Sequence, residues 1–571
     1  MGRSASLSGG TRESQNVRLA RARPRPTAVI LGAAFCTLSQ CQGPDQIPIG
    51  AAVAAMPVVL APDGEAALAP DVEAGLAPDV EAGPSLDGAT AATFFISPAG
   101  SDNGPGTRAQ PWRTFRWAIA RLFPGATLVL LDGTYETATS GYPDVRCGMN
   151  AASGTVDHPI TLHADHERAA LLKGDASGPL FFMQGCSYWT VEGLHGESGD
   201  FPNAPAGAAG GSLFYIDTNN AHVVLRRLLG AHPNRYRDSV GLYIGDGSSN
   251  VLVEECELYD FHFHGFEASH STGVVFRRNY VNSRETADIP GGFVTLDPAR
   301  GDHGLHLWET QFAIAENNVF ESVRNGSAVK GGETTVGSST GNRLLGNVAI
   351  NPALSGFLLD SHPCTAPMAC PERSRVVVGT ELTDDVTVGG GTGIRSNGTI
   401  NTVVNQFSAI GSASGVIMEK LAYNAGVAAT SSTVNSLAVG FTTVGFSSNG
   451  ETTWGFDHCT AMTANGGLPF LPPGSPHVTS TVALDPALGG CLVYLPAASP
   501  LRGAGAGARD VGAELVDRYE DGLLTTTRLW DAVTGAFPCG ATVAGLNDDP
   551  TQSCIGVHQR LHVGAGGCPV P

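Results

Sequence analysis

Apolar and polar positions between Val240 and Asp360 alternate in short bursts, and the bursts repeat. VGLYIGDGSSNVLVEECELYD from Val240, HGFEASHSTGVVFRRNYVNSR from His264 and HGLHLWETQFAIAENNVFESV from His303 line up; NGSAVKGG from Asn325, running into GNRLLGNVAIN, and SGFLLDSH from Ser355 continue the series. Each copy holds a glycine, an alternating strand, a polar turn and a second short strand that ends near an asparagine. Alternation with a period of two marks a strand with two unlike faces. The marker glycines Gly241, Gly265, Gly304, Gly326 and Gly356 stand 24, 39, 22 and 30 residues apart, so a basic coil of 22 to 24 residues carries insertions of varying length. A unit this short cannot bury its apolar face alone and must stack on its neighbours. Later strands such as TVVNQFSAI, SGVIMEK, STVNSLAVGF and TTWGFDHCTAM carry the coils to about residue 480.

The alternation also assigns faces. After each marker glycine the first and third positions point inward: Leu242 and Ile244, Phe266 and Ala268, Leu305 and Leu307, Ser327 and Val329, Phe357 and Leu359. The outward positions then form two columns, Tyr243, Glu267, His306, Ala328, Leu358 and, beside them, Gly245, Ser269, Trp308, Lys330, Asp360. At the ordinary strand spacing of about 4.8 Å, Glu267, His306, Trp308, Lys330 and Asp360 share a patch roughly 15 Å long on the solvent side. His264 and His303 precede their marker glycines at one place, with Asn325 in the next coil. They read either as turn caps or as residues lining a cleft rim or holding a metal. Asn279, Asn318 and Asn347 recur at another place and predict an asparagine ladder. The pairs Arg226-Arg227, Glu254-Glu255, Arg277-Arg278 and Glu316-Asn317 alternate in sign from coil to coil and predict cross-strand charge pairing.

Upstream, FFISPAGSDNGPGTRAQPWRTFRWAIARLFPGATLVLLDGTYE from Phe94 reads as strand, loop, helix and strand. Phe115, Ala118, Ile119 and Leu122 fall on one helix face, and Pro124-Gly125 ends it. Such a helix covers the open apolar end of a solenoid. The segment resembles the amino-terminal cap of secreted right-handed parallel β-helix proteins of the pectate-lyase-like superfamily, in its SPxGSDxxxGT, Pro-Trp-x-Thr, Pro-Gly and DGTY elements. The expected fold is all-β, a right-handed parallel β-helix solenoid with an N-terminal capping helix. The resemblance implies an enzyme superfamily that acts mostly on polysaccharides, although adhesins and phage tail proteins share the scaffold.

Composition divides the chain. Of the formal charge of -20, residues 1–41 contribute +5, residues 42–92 contribute -8 and the rest -17. Nucleic acid is thereby excluded as a natural partner, and an acidic polysaccharide needs a local arginine patch or a bound cation. RLARARPRP followed by TAVILGAAFCTL, too short to span a bilayer, reads as an export signal. LSQC resembles a bacterial lipoprotein cleavage box in which Cys41 becomes the lipidated first residue, with Gln40 in place of the usual small residue. The reading is therefore a secreted or surface-anchored bacterial protein, a monomer, touching membrane only through Cys41. Residues 42–92 contain LAPDGEAA, LAPDVEAG and LAPDVEAG and read as an acidic Pro/Ala-rich linker. The β-helix takes 93–480, and 481–571 form a cysteine-rich closing segment over the carboxyl end of the stack. Among the remaining cysteines, Cys364 and Cys370 bracket a small loop, Cys539, Cys554 and Cys568 suggest a stapled tail, and Cys256 falls on a strand as a buried thiol.

Only Lys173, Lys330 and Lys420 stand against thirty arginines. Lysine is the cation whose pKa moves toward neutrality on burial, and a neutral Lys330 can remove the C5 proton of a uronate to begin β-elimination. His306 then assists or protonates the leaving oxygen, while Trp308 and Tyr243 stack on sugar rings and His264 and His303 line the cleft. The sugar carboxylate needs an arginine, with Arg343 the nearest, or Ca²⁺ on Glu267, Asp302 or Asp360. The resemblance to polysaccharide lyases of chondroitinase-B-like and pectate-lyase-9-like type supports a lysine base. However, Ser322, Val323, Arg324 and Asn325 stand where acidic calcium ligands precede that lysine, and Asp360 stands where a partner arginine belongs. The competing readings are an ordinary ion pair of Lys330 with Asp360 or Glu333, a non-catalytic glycan-binding or adhesion module, and a glycoside hydrolase on the same scaffold. The insertion Asn282–Arg300 reads as a wall of the site or as a harmless excursion.

Overall fold

The computed structural model describes residues 92–571 apart from 176–177, 200–211, 235–238, 262, 284–302, 332–337, 362–375, 420–429, 450–452, 464–465, 472–477, 565–567, 569 and 571. The export signal, Cys41, the acidic linker, Asp302, Glu333, the Cys364–Cys370 loop and most of the Asn282–Arg300 insertion lie outside these residues. The described strands form three long parallel sheets of 13, 12 and 12 strands, in which each strand pairs with its counterpart in the coil before and the coil after. This is the parallel β-helix expected from the repeat.

The register matches the one read from the glycines. His303 pairs with His264 and with Asn325, and Asn325 with Ser355; His306 pairs with Glu267 and Ala328; Trp308 pairs with Ser269 and Lys330, and Lys330 with Asp360. The inward residues Leu242, Ile244, Phe266, Ala268, Leu305, Leu307, Val329, Phe357 and Leu359 are all buried in one core. The glycine column has a steric cause. A Cβ on Gly241, Gly265, Gly304 or Gly326 would stand 2.7, 2.8, 2.6 or 2.5 Å from the carbonyl oxygen of the glycine one coil on. Each coil therefore holds the next too closely for any side chain there.

Each coil contains three strands rather than two. Val240–Ile244, for example, is followed by Leu252–Glu254 and Glu257–Tyr259. The extra corner is a single left-handed residue with φ near +53°, occupied in successive coils by Arg227, Glu255, Arg278 and Asn317. Polar side chains tolerate this conformation less readily than glycine, which hides the corner from a search for turn glycines. The corner explains the charge pairs. Glu254 takes Arg226 at 3.2 Å and Arg277 at 3.0 Å, and Glu255 takes Arg227 at 3.1 Å and Arg278 at 3.2 Å.

The asparagine ladder is present. Asn279 Nδ2 donates to Asn318 Oδ1 at 2.9 Å, Asn318 Nδ2 to Asn347 Oδ1 at 2.8 Å and Asn347 Nδ2 to Asp385 Oδ1 at 2.9 Å, so an aspartate continues the column. At the amino end the helix Phe115–Ile119 is capped by Thr114, whose side chain accepts from Trp117 N, and Phe115, Ala118, Ile119 and Leu122 join the core.

The segment after residue 481 starts against the last coil, where Val482 N donates to Cys459 O at 3.2 Å. It then runs back along the flank. Ala513 N donates to Ser408 Oγ, Tyr519 N to Asn317 Oδ1, Gly522 N to Glu316 Oε2, Gly540 N to Glu257 Oε1 and Ala541 N to Glu167 Oε1, a series that descends through the coils. Its Leu515, Leu529, Trp530 and Phe537 pack on Leu229, Tyr259, Tyr280, Val319 and Val348 of the third sheet. That sheet turns apolar groups outward as well as inward, and the tail covers them. Disulfides Cys491–Cys568 and Cys539–Cys554 staple the tail, and Cys147–Cys186 joins two early coils. Cys256 and Cys459 are buried free thiols.

Candidate active site

The outward face of the 12-stranded sheet through His264–Ser269, His303–Trp308, Asn325–Lys330 and Ser355–Asp360 carries the candidate chemistry. Because the register puts like positions on adjacent rungs, four histidine and carboxylate side chains converge. The rings of His264 and His303 stack at 4.9 Å and 13°, and His306 lies 4.4 Å from His264 and 5.1 Å from His303 between centroids. His306 Nδ1 stands 3.5 Å from Glu267 Oε1. One nitrogen from each of His264 and His306 and one oxygen of Glu267 lie within 4.8 Å of one another.

This face is not open to solvent, contrary to the expectation of an exposed patch. His264, His303 and His306 are each 2 % exposed and Glu267 6 %. His264 and His303 are accordingly not turn caps but strand residues with buried rings. Strand periodicity distinguishes the two sides of a sheet but does not say whether the outer side is covered. Burial sets the protonation states. It holds all three imidazoles well below the ordinary histidine value, with the positive charge of Lys330 acting in the same direction. It pushes the Glu267 carboxyl up, against the influence of His264 and Lys330. It also holds the Lys330 amine below its ordinary value; Asp360 opposes this and Arg324 adds to it.

Lys330, Trp308, Tyr243 and Asp360 are half-buried, so they form the accessible margin of the cluster. Among the described residues Lys330 makes no ion pair, and the Asp360 carboxylate instead accepts from Asn397 Nδ2 at 3.1 Å. The indole of Trp308 leans on His306 at 5.4 Å and donates to Glu309 Oε1 at 3.2 Å; Glu309 in turn meets His270 Nε2 at 2.9 Å, and His270 Nδ1 meets Asp246 at 2.9 Å. That supporting chain was not foreseen, because its members sit in turns outside the outward columns. Tyr243 has one face covered by Tyr215 at 4.5 Å, and Tyr215 continues to Phe182 at 6.1 Å. The aromatic column thus begins two coils before the repeat becomes evident, where Leu180 and then Leu213 stand in place of a marker glycine, and this stack covers one face of Tyr243.

Arg343 is not part of the site. It belongs to Arg343–Leu345 in a different sheet, where its guanidinium pairs with Glu381 at 2.8 Å and donates to Gly522 O at 3.0 Å. The cation that bears on Lys330 and His303 is Arg324, in the turn just before the lysine strand. Nor can Glu267 and Asp360 share an ion, since they stand three rungs apart, about 14 Å at strand spacing. Calcium takes roughly six to eight oxygens, whereas the donors gathered round Glu267 are imidazole nitrogens.

No family model matches the chain. In sequence it is similar to pectate lyase PEL9 of Emericella nidulans, 22% identical over 306 residues that cover 48% of this chain and 70% of that protein. Among solved structures it resembles pectate lyase Pel9A, with a TM-score of 0.41 and 14% identity over 74% of this chain and 96% of that one. It also resembles the catalytic unit of a GH87 α-1,3-glucanase from Streptomyces thermodiastaticus, with a TM-score of 0.44 and 17% identity over 68% and 69%.

Proposed function

We propose that this chain is an exported carbohydrate-active enzyme that cleaves a uronate-containing polysaccharide by β-elimination, with Lys330 as the base. The observation that carries the reading is the state of Lys330: an unpaired amine among the described residues, held below its ordinary pKa by burial, on the rung beside the Trp308 indole. The sequence likeness to a pectate lyase supports the substrate class, and the three disulfides among the described residues suit an oxidising compartment.

In this reading the neutral amine takes the C5 proton of the uronate. The freed electron pair forms the C4–C5 double bond, the bond from C4 to the glycosidic oxygen breaks, and that oxygen takes a proton from water. Arg324 supplies positive charge for the sugar carboxylate, the role first sought in Arg343. Trp308 and Tyr243 offer apolar surface to sugar rings. His306 acts as a positioning residue behind Trp308, since a polymer does not reach a ring that is 2 % exposed. No step is assigned to calcium.

The test is incubation with a panel of uronate polysaccharides while ultraviolet absorbance reports the unsaturated product. Lys330→Met should lower the rate by about 10²–10⁴-fold, the usual worth of a general base. An absence of product on every polymer, or a rate unchanged in Lys330→Met, refutes the assignment. Reducing ends released without absorbance identify a hydrolase instead.

A further inference from the structure

The buried imidazoles pose a question that the lyase reading leaves unanswered. His264 Nδ1, both ring nitrogens of His306 and His303 Nε2 are buried without a hydrogen-bond partner, whereas His303 Nδ1 accepts from Asn325 Nδ2 at 3.2 Å. A buried polar atom left unsatisfied costs about 1–3 kcal/mol, and ring stacking does nothing for nitrogens in the ring plane. One nitrogen each of His264 and His306 lies within 4.8 Å of a Glu267 carboxylate oxygen. We propose that His264, Glu267 and His306 form a binding site for one divalent transition-metal ion, with zinc the ion that the donor set fits best.

The geometry suits such an ion. Ligand bonds of roughly 2.0–2.2 Å in a tetrahedral shell put neighbouring donors about 3.4 Å apart, and His306 Nδ1 stands 3.5 Å from Glu267 Oε1 without a hydrogen bond between them. The third donor lies inside the 4.8 Å limit of the group, so small side-chain rotations close the set. Two imidazoles with one carboxylate are borderline donors that favour zinc, iron(II) or cobalt(II) over calcium. The three ligands come from two adjacent rungs of a rigid sheet, and His264 and Glu267 stand three residues apart on one strand. The stack itself thus preorganises the site. Lys330, the proposed base, is not a ligand, so metal binding and proton abstraction can be separated by substitution.

The intact protein, stripped with a chelator, is titrated with Zn²⁺ by calorimetry and with Co²⁺ by visible absorption. The expected result is one ion per chain, a cobalt spectrum of low coordination number, and no displacement by a hundredfold excess of Ca²⁺. Glu267→Gln, which keeps the packing, and His306→Ala should each weaken zinc binding at least tenfold, while Lys330→Met should not. Absence of stoichiometric binding by the wild-type protein overturns the proposal, as does binding that survives both ligand substitutions. The latter result would place the ion elsewhere, for example at the largely exposed group Asp132, Asp165 and His166.

Discussion

One buried carboxylate, Glu257, gathers several of the contacts that attach the tail to the coils, and removing it should have a large, local effect. Glu257 is 2 % exposed and Arg168 0 %. Glu257 Oε1 accepts from Arg168 Nη1 at 2.7 Å and Gly540 N at 3.1 Å, and Oε2 accepts from Tyr259 OH at 2.7 Å and Asn547 Nδ2 at 2.9 Å. Without Glu257, the guanidinium keeps, among the described residues, Glu167 at 3.7 Å and the carbonyls of Ala541 and Arg227. Breaking a buried pair by removing one partner costs about 3–5 kcal/mol. The lost acceptors of Tyr259 and Asn547 add to this only while the tail stays docked, because both groups rehydrate once it lifts. We therefore expect Glu257→Ala to weaken docking by about 4 kcal/mol, which is roughly a thousandfold in the population of detached tail. Limited proteolysis with the disulfides intact reads this directly as accelerated cleavage between Val516 and Asn547. The double variant Arg168→Met with Glu257→Leu should recover most of the loss, because it leaves no stranded charge. A rise in cleavage of less than tenfold in Glu257→Ala, or a double variant no better than the single, would refute the electrostatic account.

Two further outcomes follow from the same coils. Asn318→Ala removes the acceptor of Asn279 N and Nδ2 and the donor to Phe276 O and Asn347 Oδ1; with these buried groups orphaned, unfolding by denaturant should show a loss of about 3 kcal/mol, and a loss under 1 kcal/mol contradicts the ladder's role. Asp384 is buried and its pKa is pushed up to about 7 by burial, against hydrogen bonds from Tyr519 OH and Glu514 N. The folded state then holds a proton that the unfolded chain releases near pH 4, so the stability from this group is present below pH 4 and is lost as pH rises to about 7. Melting temperature should fall over that window in the wild type and fall less in Asp384→Asn; equal slopes would contradict the assignment.

The parts of this molecule that were legible in sequence are those where one residue type is forced. Only glycine fits where Gly241 to Gly326 approach the next carbonyl, so the glycines mark the register, and with it the meeting of Glu267, His306, Trp308 and Lys330 on adjoining rungs. The asparagine ladder was legible for the same reason, since an amide that both donates and accepts along the stack has few substitutes. The third strand of each coil was not, because its corner is built by Arg227, Glu255, Arg278 and Asn317 in a left-handed conformation that no residue type announces. Arg343 misled for a related reason: it is near Lys330 along the chain, but the coil turns through a corner between them and carries the arginine to another sheet.

The burial of the histidines has a different origin, and it changes what the site can be. An alternating strand predicts that His306 and Glu267 face away from the lumen, which they do, but a face turned away from one core can be dry. Dry imidazoles are neutral, and a dry carboxyl resists ionisation. Groups first read as surface acids and bases are therefore poor at exchanging protons with a polymer in water and well suited to holding an ion. Lys330, at the half-buried margin, is the opposite case: burial holds its amine below the ordinary lysine value, yet the side chain is not enclosed. The division of labour proposed for this face, a metal beneath and an amine at the edge, rests on that single gradient of burial across two neighbouring columns.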